Sequence, residues 1–226
     1  MPRFSVSKQF DFKPSITERV STVMRMFGVG IDRLKDKRTT HACEVTVNDG
    51  DIVYITGPSG AGKSVLMREL QNAVPADERI SIYEISLPAD KAAIDCVSDC
   101  LGTIEAMRLL GYAGLSDVFC ILTPPADLSE GQKYRFRLAT AIATGKRYIF
   151  ADEFCSNLDR ISASVIAYNV RKFAKRNNVT FFLASSHEDI LADLQPDVLV
   201  VKHFKGPAEV TYRKLKIKNQ KWTIAP

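Results

Sequence analysis

Short apolar runs bounded by turn-forming residues alternate along this chain with longer segments whose apolar residues recur every three or four positions. That alternation predicts an α/β fold around a mostly parallel sheet. Residues 15 to 28 put Ile16, Val20, Val23, Met24 and Phe27 on one helical face, begin at Ser15 with Glu18 three residues on, and stop at Gly28. They predict a capped amphipathic helix, followed by a charged loop from Asp32 to Lys37. Ala42 to Val47 alternates, Asn48 to Asp51 reads as a turn, and Ile52 to Thr56 is an apolar strand running straight into glycines. The spacing predicts a hairpin feeding a buried strand. Further strands are predicted at Ile80 to Ile85, Tyr148 to Ala151 and Thr180 to Ala184, and helices over 103 to 111 and 130 to 144.

Composition narrows the class. The chain has 226 residues, 46% of them hydrophobic and 25% charged, as expected of a globular domain, and a single domain over 1–226 is predicted. No apolar run approaches the roughly 20 residues of a membrane-spanning helix. The N-terminus lacks the features of a secretion signal, so a cytoplasmic location is expected. Five cysteines without a CxxC pair suggest reduced thiols rather than a disulfide framework or zinc site. The net charge of +5 is concentrated at the C-terminal end, where Lys205, Arg213, Lys214, Lys216, Lys218 and Lys221 face one acid, Glu209. Residues 211 to 218 alternate apolar and basic side chains, which predicts an edge strand with one cationic face, and Trp222 follows. Such a face suits nucleic-acid phosphates or an acidic partner, and it also serves as lysine protection of a sheet edge.

Residues 57 to 64 read G-P-S-G-A-G-K-S, a full match to the phosphate-binding loop, placed after a strand and before a helix. Gly57, Gly60 and Gly62 permit the backbone turns that aim N–H groups inward, and the loop Gly57, Pro58, Ser59, Gly60, Ala61, Gly62 is expected to wrap the β-phosphate of a nucleotide. Lys63 is expected to bridge the β- and γ-phosphates and Ser64 to supply a hydroxyl ligand to Mg²⁺. The strand Tyr148 to Ala151 ends in Asp152 and Glu153. Asp152 is expected to hold Mg²⁺, and Glu153 to act as base or positioner for the water that attacks the γ-phosphate.

Leu128-Ser129-Glu130-Gly131-Gln132 resembles the signature of ABC-type ATPases, with Glu130 in place of glycine. Ser156-Asn157-Leu158-Asp159 resembles that family's D-loop, and Ser185-Ser186-His187 its switch histidine. The motifs stand in family order over residues 27 to 200. The resemblance implies a P-loop fold with an antiparallel β part and a short helical subdomain, about 86 to 145. It also implies ATP and Mg²⁺ as ligands, and a head-to-tail dimer with each ATP between the loop of one subunit and the signature of the other. Ser129, Gly131 and Gln132, with Asp159, would then contact ATP across the interface, while His187 would touch the γ-phosphate. Phe27 fits either an adenine-stacking position or core packing.

The pattern also departs from the transporter branch. Gln71 is the only glutamine between loop and signature and lies on the first helix, so no Q-loop is matched; Asp95 and Glu84 are alternatives to it. Ser129 follows Ser64 by only 65 residues, Phe154 replaces a proline, and the helix at 15 to 28 replaces a first strand. The chain looks most like soluble ABC ATPase domains found alone or fused to predicted acetyltransferases. This implies a cytosolic ATPase that drives a conformational change in a macromolecular partner. A transporter ATPase subunit and a DNA or RNA maintenance ATPase are the alternatives, the membrane partner being the less expected one.

Overall fold

The structure, a computed structural model, describes residues 2–10, 15–31, 39–187, 189–213 and 222–224. Its strands in chain order are β1 (Arg3–Phe10), β2 (Thr39–Thr46), β3 (Ile52–Thr56), β4 (Arg79–Ser81), β5 (Tyr148–Ala151), β6 (Thr180–Ala184), β7 (Val198–Val201), β8 (Glu209–Arg213) and β9 (Trp222–Ile224). The helices are α1 (Glu18–Met26), α2 (Lys63–Asn72), α3 (Ala93–Cys96), α4 (Thr103–Tyr112), α5 (Val118–Leu122), α6 (Glu130–Ala143), α7 (Arg160–Asn177) and α8 (Leu191–Leu194). Seven strands form one sheet in the order β4-β5-β6-β3-β7-β8-β9, parallel from β4 to β7 and antiparallel from β7 onward.

The sheet is buried on both faces, which is why its central strands read as unbroken apolar runs. Every residue of β3, β5 and β6 is buried. Ile52 and Tyr54 join a core layer with Phe181, Leu183 and the inner faces of α6 and α7. Val53 and Ile55 point the other way, into a layer with Phe150, Phe182, Leu66 and Leu70. There the Phe150 and Phe182 rings stack at 4.7 Å.

Four expectations are corrected. The turn at Asn48 to Asp51 forms, with the Asp51 carboxylate accepting from the Asn48 backbone at 2.8 Å, but it does not close a hairpin. Instead β2 pairs antiparallel with β1, and β3 enters the other sheet between β6 and β7. Polar-apolar alternation gives β2 one buried face, and the uniformly apolar β3 needs two. A first strand is therefore present alongside the helix, which is shorter than predicted, is capped by Thr17 rather than Ser15, and has no buried residue. The predicted strand Ile80 to Ile85 stops at Ser81, because Ser81 and Glu84 form a capping box that starts a 3-10 turn over Ile82–Glu84. Finally β8 is not an edge, since β9 lies outside it, and Arg213 is tied down by the Gln195 carbonyl and side chain at 2.9 and 2.8 Å. The charged loop Asp32 to Lys37, and Lys214, Lys216, Lys218 and Lys221, lie outside the described residues. Among the described residues no helix is long and apolar enough to cross a membrane.

Candidate functional site

The loop between β3 and α2 is shaped by what lies behind it. Gly57 has φ 140°, and a Cβ there would stand 2.1 Å from the Lys202 carbonyl oxygen. Gly62, at φ 94°, presses on the His41 ring, which a Cβ would meet at 2.0 Å. Burial, reinforced by the nearby Lys202 cation, lowers the His41 pKa and favours a neutral imidazole there. Gly60, at φ 78°, has open space around it. Only glycine satisfies the first two sites, where backbone and ring approach a left-handed residue.

Lys63 folds over this loop. Its ammonium donates to the Gly57 carbonyl at 2.9 Å, the Pro58 carbonyl at 3.0 Å and the Ser186 hydroxyl at 2.8 Å. Burial lowers its pKa, an effect that the Asp152 carboxylate opposes. An ammonium has three donors, and all three are engaged, so an arriving phosphate must exchange with at least one of them.

The carboxylate turn after β5 is held in an unusual conformation. Glu153 and Cys155 sit at φ 50° and 59°, a left-handed region that costs a non-glycine residue roughly 1–3 kcal/mol and persists only where the surroundings over-determine it. The restraints are visible. The Glu153 N–H donates to Asp152 Oδ1 at 2.9 Å, and the Phe154 N–H to the Ala184 carbonyl at 2.7 Å. The Cys155 N–H donates to the Tyr134 hydroxyl at 3.3 Å. The Phe154 bond supplies a reason for phenylalanine where a proline was expected, because proline has no N–H to give. Phe154 itself is wholly buried, edge-on to Tyr134. Burial also pushes the Cys155 thiol up to about 12, which keeps it protonated and inert.

A cleft of about 500 Å³ opens between these segments. It is lined by Ser59, Gly60, Gly62, Lys63 and Ser64 of the loop, by Asp152 and Glu153, and by His187. The remaining wall includes Ser156 and Asn157 of the D-loop-like segment and Ser185 and Ser186 of the switch-like segment, residues inside those motifs to which the sequence pattern assigned no individual role. Ser185 organises this wall: its hydroxyl accepts from the His187 N–H at 3.2 Å and lies 3.5 Å from that of Ser156. The His187 carbonyl is also held by the buried Tyr54 hydroxyl. Gly57, Pro58 and Ala61 form the loop's base rather than the cleft wall, with the Ala61 N–H donating to the Pro58 carbonyl at 3.2 Å.

The signature residues lie elsewhere. Ser129 caps α6 in a box with Gln132, accepting from the Gln132 N–H at 3.4 Å while the Gln132 side chain accepts from the Ser129 N–H at 2.9 Å. Gly131 packs against the D-loop, where a Cβ would be 3.2 Å from Leu158. Asp159 caps α7 by accepting from the Ser162 N–H at 2.9 Å, and the Ser162 side chain, with that N–H, lowers its pKa. Glu130 pairs with Lys133 at 2.9 Å, so its charge is largely met within the helix. Phe27 is 78% exposed, which removes core packing, and it does not line the cleft. Glu84 is engaged by Gln71 at 2.7 Å, and neither it nor Asp95 reaches the cleft wall.

Ser64, with an exposed hydroxyl, and Asp152, with a carboxylate, both line this cleft. That donor set fits Mg²⁺, which completes its octahedron with water and substrate oxygens, and among the described residues no ready-made cluster of three or more metal-ligating acids, histidines or cysteines exists.

Comparison with known proteins fixes the class of the fold. A dimeric ATP-binding cassette in a post-hydrolysis state, bound to ADP and Pi, superposes with a TM-score of 0.62 at 17% identity, covering 82% of this chain and 92% of that one. The chain therefore has the α/β P-loop fold of ABC-type ATPase domains. No protein-family model matches it. In sequence it is similar to an uncharacterized ABC transporter ATP-binding protein, y4fO, of Sinorhizobium fredii, 26% identical over 74% of this chain and 59% of that protein. It is also similar to the methionine import ATP-binding protein MetN 1 of Acinetobacter baylyi, 25% identical over 71% of this chain and 54% of that protein. The chain thus spans a little over half the length of these curated relatives.

Proposed function

We propose that this chain binds and hydrolyses ATP as a head-to-tail dimer and uses the closing and opening of that dimer to drive a partner chain. The observation that carries the reading is the single cleft in which a phosphate loop, Lys63, Ser64, Asp152, Glu153 and His187 converge. In this reading the loop N–H groups and Lys63 hold the ATP phosphates, and Glu153 orients and deprotonates the attacking water with His187 opposite it. Ser64 and Asp152 would hold Mg²⁺, which when bound offsets charge on the phosphates. Ser129 accepts one bond as a helix cap and keeps its O–H to donate, so with the Gly131 N–H and the α6 dipole it offers a second anion site to the γ-phosphate of a facing subunit. Gln132 steadies that cap, and Asp159 steadies the start of α7 beside it.

The relatives favour a transporter partner over a stand-alone soluble role, because those compared are named as transporter or import ATP-binding proteins. Exposed apolar residues on the helical segment also suit a docking chain: Ile104 and Met107 on α4, and Val118, Phe119 and Leu122 on α5. A soluble, cytosolic role remains the second reading, since among the described residues no glutamine lines the cleft and Gln71 bonds Glu84 instead. Light scattering of Glu153→Gln protein tests the dimer. Mg²⁺ and ATP are expected to double its molar mass, and Ser129→Arg to prevent the doubling. A mass that stays constant while ATP binds would remove the dimer from the proposal.

A further inference from the structure

We propose that Tyr83 is a positioning residue for Glu153, acting through the peptide that joins Asp152 to Glu153. The inference rests on the reading of Glu153 as the carboxylate that handles the attacking water. That peptide is gripped at both ends: its carbonyl, on Asp152, accepts from the Tyr83 hydroxyl at 3.2 Å, and its N–H, on Glu153, donates to Asp152 Oδ1 at 2.9 Å. The plane so fixed sets the direction in which Glu153 leaves the chain, since ψ of Asp152 and φ of Glu153 are the two soft dihedrals on either side of it. Glu153 is at φ 50°, off the conformations that its own residue type prefers, so an external restraint is required to keep it there.

Tyr83 is well placed to supply that restraint. It stands on the 3-10 turn after β4, between wholly buried Ile82 and Glu84, whose carboxylate closes the capping box and accepts from Gln71. Its ring is covered by the Arg137 guanidinium, 5.7 Å from the centroid, and Arg137 stands on α6, the helix that Ser129 caps. Tyr83 therefore links the signature helix to the peptide that aims Glu153. Burial, reinforced by the Glu153 and Asp152 carboxylates, raises the Tyr83 pKa, which keeps the phenol protonated and able to donate.

Steady-state ATP hydrolysis by the full chain tests this with Tyr83→Phe, which removes the hydroxyl and keeps the ring. The expected result is a fall in kcat of about fivefold, the size of one net hydrogen bond, with KM for ATP and the thermal midpoint unchanged. In a Glu153→Gln background the same substitution is expected to add no further loss, because the group it positions is gone. An unchanged kcat, a loss that appears in KM or thermal stability instead, or an equal extra loss in the Glu153→Gln background overturns the proposal. If the wild type hydrolyses ATP and Glu153→Gln abolishes turnover while Tyr83→Phe is silent, only the role of Tyr83 fails. If the wild type turns over no ATP at all, the reading of the site fails and this inference falls with it.

Discussion

At the scale of single residues, the glycines of the phosphate loop show how one local pattern hides different constraints. Gly57→Ala meets the Lys202 backbone, which cannot give way, whereas Gly60→Ala meets nothing within 4 Å and carries only the cost of its positive φ. Gly57→Ala is therefore expected to lower stability by more than about 2 kcal/mol, and Gly60→Ala by about 1 kcal/mol, in urea unfolding followed by circular dichroism. At Glu153, replacement by Gln keeps the size and removes the carboxylate proposed as the base, so phosphate release is expected to fall by about 100-fold or more with ATP affinity retained, as read by equilibrium binding. Lys63, Ser64, Asp152 and Glu153 were legible in the sequence because the chemistry there depends on short spacings along a single strand-to-loop segment. The contacts of Ser185, Ser186 and Tyr83 were not, although the two serines stand in the switch-like motif, because nothing in a serine or tyrosine says which distant carbonyl, hydroxyl or ammonium the fold will bring to it.

At the scale of elements, local signals predicted type better than pairing. The Ser129 capping box is written in S-x-x-Q, and α6 begins where that pattern says. Ser129→Ala is expected to cost about 1 kcal/mol through the lost cap, a difference that thermal unfolding can resolve. Glu130→Gly releases Lys133 from its pair on the same turn and leaves a cation where a facing γ-phosphate would arrive. It is expected to strengthen ATP-dependent dimerisation, but by less than about tenfold because Glu130 is exposed and its charge is screened by water; sedimentation measures the change. By contrast, the predicted hairpin failed although both of its strands exist. Alternation in Ala42 to Val47 specifies one buried face and cannot name the partner, which turned out to be β1 from the start of the chain.

At the scale of the whole molecule, two surfaces bear on partners. None of the α1 residues is buried, and Ile16, Val23 and Phe27 are exposed despite helical spacing that matches a core-facing stripe. The basic C-terminal segment was read as a cationic edge, yet Arg213 is bound internally and β9 covers β8. If nucleic acid is a partner, binding is expected to fall steeply with salt and to be lost when Lys214, Lys216, Lys218 and Lys221 are replaced by Gln, with ATPase intact because β8 is kept, which fluorescence anisotropy on labelled DNA can measure. Truncation after His203 would instead remove β8 and β9. Binding that survives those replacements would return the segment to a structural role. The sequence by itself determined the α/β class and the position of a phosphate-loop pattern between a strand and a helix, because strand and helix periodicities and short loop spacings are set by near neighbours. Tertiary structure alone decided which strand pairs with which, how the turn at Glu153 is held left-handed, and that one cleft unites loop, carboxylates and His187 while leaving the signature outside. Those outcomes depend on contacts between different segments of the chain, some near in sequence, such as Cys155 with Tyr134, and some far apart, such as Lys63 with Ser186 and Gly57 with Lys202, which no local pattern encodes.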